Sequence, residues 1–463
     1  MRSRLAGGGV VECSRPGNAA MDPHERVMAA PPIDITNNLS QTCDLPPSRL
    51  EVISMQLLPT VATTLILLVS SSLASEFKVV HNFTAQPGQG PTSLVAGPDG
   101  NLYGTTANEG TVCPTRCGAV FELARTSGGW QYQVIHLFTG SQGDGEMPLG
   151  PLIFDQAGNM YGTTFSRGNS RTCLAQHLDC GTVFELSPSG GGWVEKVLYK
   201  FTGSSDGAYP GGNLALDAAG DLYGTTYGGG TFGWGVVYEL SSGSNGWVET
   251  VLYTFTGTSD GGQPEGGVTF DANGNLLGTA YVGGSSGFGT VFKRRPGGSG
   301  WTQSVLHSFT GGSDGAYPGH NLLLDSAGNI YGAAAGGGST NCISGCGTVF
   351  ELSPSGSGWT FSDLYSFSGP DGELPGEILF DASGNIFGVA DGGLLGCPCC
   401  GCGVLYKLVP GSSQWAETVL FKFNGTSNGE FPDSLVMDST GTLYGTASGG
   451  GTDNDGTAFG FTP

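Results

Sequence analysis

One pattern constrains this chain more than any other: a segment of 54 to 62 residues is repeated seven times. The string NLYG at 101–104 returns as NMYG (159), DLYG (221), NLLG (275), NIYG (329), NIFG (385) and TLYG (442). In step with it run GAVFEL (118), GTVFEL (181), GVVYEL (235), GTVFKR (289), GTVFEL (347), GVLYKL (403) and GTAFGF (456). A Trp follows in six copies and opens a stretch ending in Phe, from Trp130–Phe138 to Trp415–Phe423. Each NLYG is preceded by an apolar pair closed by Asp and Gly, as in LALDAAG (214–220). Self-similarity at a fixed period means that one supersecondary unit is stacked on its neighbours.

Each unit holds four strand-like segments, termed a (LxxD), b (NLYGTT), c (GTVFEL) and d (W…VLYxF), separated by turn residues. The D-x-x-G-N links read as tight hairpins, with Asp accepting from the turn and Gly supplying positive φ. A flat array of such units would expose long strand edges, whereas a closed ring leaves only short ones. The expected fold is therefore all-β, a seven-bladed β-propeller of four-stranded antiparallel blades. The seventh copy stops after strand c, and a strand d without its Trp hairpin stands at the other end, Lys78–Phe83. That strand is expected to complete the last blade.

Composition supports this. Glycine supplies 84 of 463 residues without a collagen period, and only 12% of residues are charged, which argues against a helical protein. A net charge of −22 excludes nucleic acid and anionic membrane as partners. Residues 1–54 show no apolar periodicity and read as a disordered or mis-assigned upstream segment, with translation starting at Met28 or Met55. Residues 55–75 carry a thirteen-residue apolar run, Leu57–Val69, followed by small residues, as in a cleaved secretory signal. The run is too short for a stable membrane span. Residues 76–463 are the propeller, expected to be secreted and monomeric.

The string YGTT…GG…GTVFELSPSG-GW-VLYxFTG-xxDGxxP resembles the GloVer tandem repeat of secreted bacterial proteins and covers residues 78–463. That resemblance implies an extracellular location and brings no catalytic residues. The chain departs from the family in showing no C-terminal sorting tail. A looser likeness to NHL-type propellers rests on D-x-x-G-N-hydrophobic-Y.

Strand direction alternates, so the long b–c and d–a connections share one face, where a rigid scaffold best displays binding residues. The d–a loops repeat FTGxxDGxxP through Asp144, Asp206, Asp260, Asp314 and Asp371, with Asn428 in the last copy. A carboxylate ring at one mouth could collect Ca²⁺. The plainer role is that each Asp caps its own turn, as the a–b aspartates from Asp155 to Asp438 do. Residues outside the repeat are the better binding candidates: Trp234, Tyr227, Phe232, Tyr209, Tyr281 and Tyr317, with Phe288, as an aromatic platform for a glycan or protein. His320 and Arg167 are also unrepeated and compatible with plain solvation.

Cys13 and Cys43 precede the cleavage site. The other ten fall in b–c loops and are expected as local disulfides: Cys113/Cys117, Cys173/Cys180, Cys342/Cys346, and an undecided pairing among Cys397, Cys399, Cys400 and Cys402. Zinc at CPCCGC is the weaker alternative. His81, His136 and His307 stand where other copies carry Tyr or Phe and are expected to pack between blades. No HExxH, GxSxG or P-loop occurs. A secreted binding or adhesion module is the favoured function. A propeller hydrolase or lyase acting on carbohydrate or lactone, and a structural envelope protein, are the alternatives.

Overall fold

The computed structural model describes residues 75–84, 88–108, 117–140, 143–168, 180–244, 246–298, 300–393, 402–412 and 414–463. The upstream segment and the signal, residues 1–74, lie outside the described residues. Among those described, no helix is long and apolar enough to cross a membrane.

The chain forms seven antiparallel sheets, one per repeat. Blades 1 to 6 are each built from consecutive strands. Blade 7 takes its a, b and c strands from Glu430–Met437, Leu443–Gly449 and Thr457–Thr462, and its outer strand from Glu76–Asn82. The register runs from Glu76 opposite Thr462 to Asn82 opposite Thr457. The N-terminal strand therefore closes the ring, as the missing seventh strand d required.

Why these segments form strands is visible in burial. Strand b is buried along almost its whole length, and strand c is buried on both faces except near its end, because each is sandwiched between neighbouring blades. Strand d alternates exposed and half-buried residues, as an outer strand should. At the a–b hairpin, Asp155 Oδ1 accepts the backbone N–H of Ala157 (2.8 Å) and of Asn159 (2.9 Å). Asp217, Asp271, Asp325, Asp381 and Asp438 do the same in their copies.

The core lies between blades, and one apolar cluster fills each of the seven joints. Each is organised by the Phe that ends strand d, which meets the strand-c aromatic of the next blade edge to face. The pairs are Phe83–Phe121, Phe138–Phe184, Phe201–Tyr238, Phe255–Phe292, Phe309–Phe350, Phe367–Tyr406 and Phe423–Phe459. Their centroids are 5.0–5.2 Å apart and their planes 60–70° apart. The glycine of NLYG makes room for that second ring. A Cβ on Gly332, whose φ is ordinary, would lie 2.5 Å from Phe350 Cζ.

The blades differ in strand a. In blades 1, 6 and 7 it is continuous (Gln89–Ala96, Glu373–Phe380, Glu430–Met437), broken only by a bulge after Pro91, Pro375 and Pro432. In those copies two residues separate the Pro from the first buried apolar residue, whereas blades 2 to 5 insert a third and are glycine-rich there. In blades 2 to 5 strand a is correspondingly interrupted, while in all seven blades residues after the proline line the ring centre.

Two outcomes test this account. Gly332→Ala should destabilise the fold by about 1–3 kcal/mol in urea melts through overpacking. Adding Phe350→Leu should recover part of that loss, so the double variant is more stable than the sum of the singles predicts. Phe83→Ala should cost about 3–5 kcal/mol, matching Phe309→Ala in mid-chain. A terminal strand that merely rested on the surface would cost far less.

Candidate functional site

The b–c and d–a loops share one face and are clipped together across every joint. The residue before the d–a proline donates its backbone N–H to the carbonyl preceding the strand-c glycine of the previous blade. The donors are Met147, Tyr209, Gln263, Tyr317, Leu374, Phe431 and Gly90, at 2.8–3.1 Å, and all have φ between 54° and 63°. Six of the seven are non-glycine residues held in the left-handed region, so the joint over-determines their conformation.

The acceptor position explains both the cysteines and Trp234. Its occupants are Cys117, Cys180, Trp234, Phe288, Cys346, Cys402 and Asp455. The Trp234 indole covers Gly257 and Gly262 of the adjoining d–a loop, and Phe288 covers Gly311 in the same way. In the next copy Cys342, bonded to Cys346, lies against Gly369. Trp234 is thus half-buried against the adjoining d–a loop, and its positional equivalents are an aromatic, an aspartate and half-cystines. Cys117, Cys180 and Cys402 are disulfide-bonded too. Cys113, Cys173, Cys397, Cys399 and Cys400, named for their pairings, lie outside the described residues. Phe232, two residues before Trp234, is 57% exposed, and Tyr227 is half-buried.

The remaining aromatics gather nearer the centre. Phe165 stacks on Tyr209 (5.0 Å), and Tyr317 meets both Tyr281 (5.1 Å) and Phe288 (5.8 Å). A Cβ on Gly211 would lie 3.5 Å from the Phe165 ring. One on Gly319 would lie 3.5 Å from the Tyr281 ring and 3.1 Å from Glu265 Oε2. Gly211 and Gly319 are themselves lining residues of a central cavity of about 150 Å³ to which all seven blades contribute. Its chemistry comes from the positions that follow the repeat's proline: Asn213, Glu265, His320, Asn321, Glu377 and Asp433. No Lys or Arg is among its lining residues.

Side chains there reach toward the following blade. Glu265 lies over Gly319, the His320 ring lies beside Gly376, and Glu377 Oε2 accepts the N–H of Leu435 at 3.1 Å. Burial, and then the charge of Asp433, push the Glu377 carboxyl up to about 7. Of the candidates read from sequence, Tyr209, Tyr281, Tyr317 and His320 are brought to this mouth; Trp234 is packed into its loop. Glu265, Glu377, Asp433, Asn213 and Asn321 were missed, although all stand one to three residues after a repeated proline and each acid occurs in a single copy at its position.

The d–a aspartates cap their own turns. Asp206 accepts from Thr202 N (2.7 Å), Thr202 Oγ1 (2.6 Å) and Tyr199 OH (3.1 Å), and Asp371 accepts likewise from Ser368 and Tyr365. No group of three His, Cys, Asp or Glu suited to a metal ion occurs among the described residues. Arg167 Nε pairs with the buried Glu146 Oε2 at 2.9 Å rather than facing solvent alone. The strand-d histidines pack between blades: His81 stacks on Tyr132 (4.3 Å) and His307 on Phe361 (4.4 Å).

A family model, the Gloeobacter/Verrucomicrobia repeat, matches residues 67–215, 174–397 and 299–463. The chain belongs to this family. No curated protein matches the Gloeobacter/Verrucomicrobia repeat chain in sequence. Among solved structures it is similar to the extracellular domain of a putative hybrid two-component system from B. thetaiotaomicron, at 10% identity and a TM-score of 0.52. That match covers 83% of this chain but only 39% of the other, so the repeat chain spans about two fifths of it. It is also similar to a catalytically inactive virginiamycin B lyase from Staphylococcus aureus with quinupristin, at 13% identity and a TM-score of 0.51, covering 84% of this chain and 100% of that one. At such identities the likeness is one of fold.

Strand d also carries Glu195, Glu249 and Glu417, each two residues after its Trp, where blade 4 has Gln303. Each Glu has a buried Oε1 with no hydrogen-bond partner, and burial, then the charges of Asp144, Asp206 and Asp371 respectively, raise all three to about 7. Such a carboxyl stabilises the fold fully below its unfolded value of 4.5, and that stabilisation is lost as pH rises through 7. His81, lowered by burial to about 4, works oppositely, but only below its unfolded value of 6.5. The unfolding free energy from urea melts should therefore fall between pH 6.5 and 7.5, by about 1 kcal/mol in total because solvent screens these half-exposed groups. Replacing Glu195, Glu249 and Glu417 by Gln, the residue blade 4 already uses, should remove most of that slope.

Proposed function

We propose that this chain is an exported recognition propeller that binds an extracellular glycan at the mouth of its central cavity, on the long-loop face. One observation carries the reading: around that mouth the sevenfold repeat gives way to residues that differ from blade to blade. There, aromatic pairs stand beside carboxylates, amides and an imidazole. Aromatic faces suit the apolar faces of sugar rings, and carboxylates and amides suit their hydroxyls. The fold likeness to extracellular propeller domains agrees with an exported location.

The pairing of acids with His320 in one cavity favours a second reading, a hydrolase or lyase acting on carbohydrate or lactone. Product formation from a bound glycan would select it.

The test is a glycan array on residues 75–463 with Tyr281→Ala and Trp234→Ala variants. Tyr281→Ala should weaken binding at least about tenfold, the usual loss for an aromatic anchor. Trp234→Ala should act chiefly through stability. Binding indifferent to Tyr281 would remove the mouth from the account.

A further inference from the structure

We propose that a small inorganic anion, chloride or one of like size and charge, binds inside the joint between blades 3 and 4, held by Arg294 and Gln303. Neither residue lines the central cavity, so this is a second site. The two stand opposite each other on strands c and d of blade 4, and their side chains therefore share one face. Five other copies carry Leu where Arg294 stands, paired with Glu in blades 2, 3 and 6, and the seventh carries Phe461. A cation drawing its counter-charge from the protein would stand opposite a Glu, which this position accepts in three blades. Arg294 stands opposite an amide.

Burial and bonding supply the second, independent observation. Arg294 is 2% exposed. One end of its guanidinium is engaged: Nη2 donates to the carbonyl of Leu252, in blade 3, and to that of Trp301 at 3.1 Å. Its central carbon lies 4.7 Å from the centroid of the Tyr253 ring, whose π face offsets part of the charge. Among the described residues, however, Arg294 Nε has no hydrogen-bond partner, and neither Nε2 nor Oε1 of Gln303 has one, although all three atoms are buried. Arg294 forms no ion pair among those residues either. Asp260 is bound instead by Tyr253 OH (2.9 Å), Thr256 N (2.9 Å) and Thr256 Oγ1.

A buried cation without a counter-charge, beside an amide whose bonds are all unmade, is costly unless a partner joins it. The partner that suits is anionic, to neutralise the guanidinium, and small, because it must fit between packed blades. It accepts from Arg294 Nε and Gln303 Nε2 together, and the amide gives up no existing bond in turning its N–H toward it. Since Nη2 of the same guanidinium reaches Leu252 across the joint, the bound anion fixes blade 4 against blade 3.

The experiment is urea unfolding of residues 75–463 as chloride replaces gluconate, an anion too large for the joint. Ionic strength is kept constant, which holds charge screening fixed. Beyond its dissociation constant, each tenfold rise in chloride should raise the folded-to-unfolded ratio about tenfold. Arg294→Leu, which installs the residue of five other copies, should make that ratio independent of chloride. Crystals grown in bromide should show an anomalous peak within hydrogen-bond reach of Arg294 Nε and Gln303 Nε2. A wild-type ratio indifferent to chloride overturns the inference, and so does a chloride gain that survives Arg294→Leu. A bromide crystal with no anomalous peak between the two side chains overturns it as well.

Discussion

An edge-to-face aromatic contact, repeated at every blade joint, sets the spacing on which the rest of the ring depends. The Phe ending strand d of one blade meets the strand-c aromatic of the next, whose tip fills the space left by a strand-b glycine. Three repeated motifs that look separate along the chain are thus one interaction seen from three sides. Because the contact joins neighbouring copies, no blade can complete its core alone. This is also why Phe83, far from any Trp hairpin, is almost fully buried: it is the seventh instance of the same contact.

The face proposed to carry function is built on a different joint. There the strand-c glycine of one blade abuts the d–a proline of the next. A Cβ on Gly403 would lie 2.3 Å from Pro432 Cδ. The left-handed residue before each proline is held by a backbone bond, so its side chain is directed by the scaffold while its identity stays free. Tyr209 and Tyr317 use that freedom to meet Phe165 and Tyr281. A rigid frame with free side-chain choice at its inner rim is the physical basis for placing recognition there.

The fold was legible because its signals are local. Strand alternation, Asp–Gly turns and the Trp hairpins lie within each copy, and the orphan strand Lys78–Phe83 needed only counting. The site was only half legible. His320 stood out as unrepeated, but nothing local says that it turns into the ring centre. That is set by closure of the ring, which brings the residues after every proline to the centre whether two or three of them precede the first buried apolar residue. Trp234 presents the opposite difficulty. It stands out as unique because the other copies place half-cystines, a phenylalanine and an aspartate at its position, and only the folded ring shows its indole covering Gly257 and Gly262 of the adjoining loop. Glu195 and its counterparts escaped notice because Asp144, Asp206 and Asp371, which help to raise their pKa values, lie in the preceding d–a loops, and only stacking the copies brings them into line.

The pairing of Glu76 with Thr462 also orders events in time. The first strand of the ring waits for the last, so closure cannot precede emergence of the C-terminal segment, and the topology defers its most non-local contact to the end of folding. A chain that crosses a membrane unfolded gains from such a delay. The interlocked ring, which would be hardest to thread through a pore, arises only once the whole chain is free.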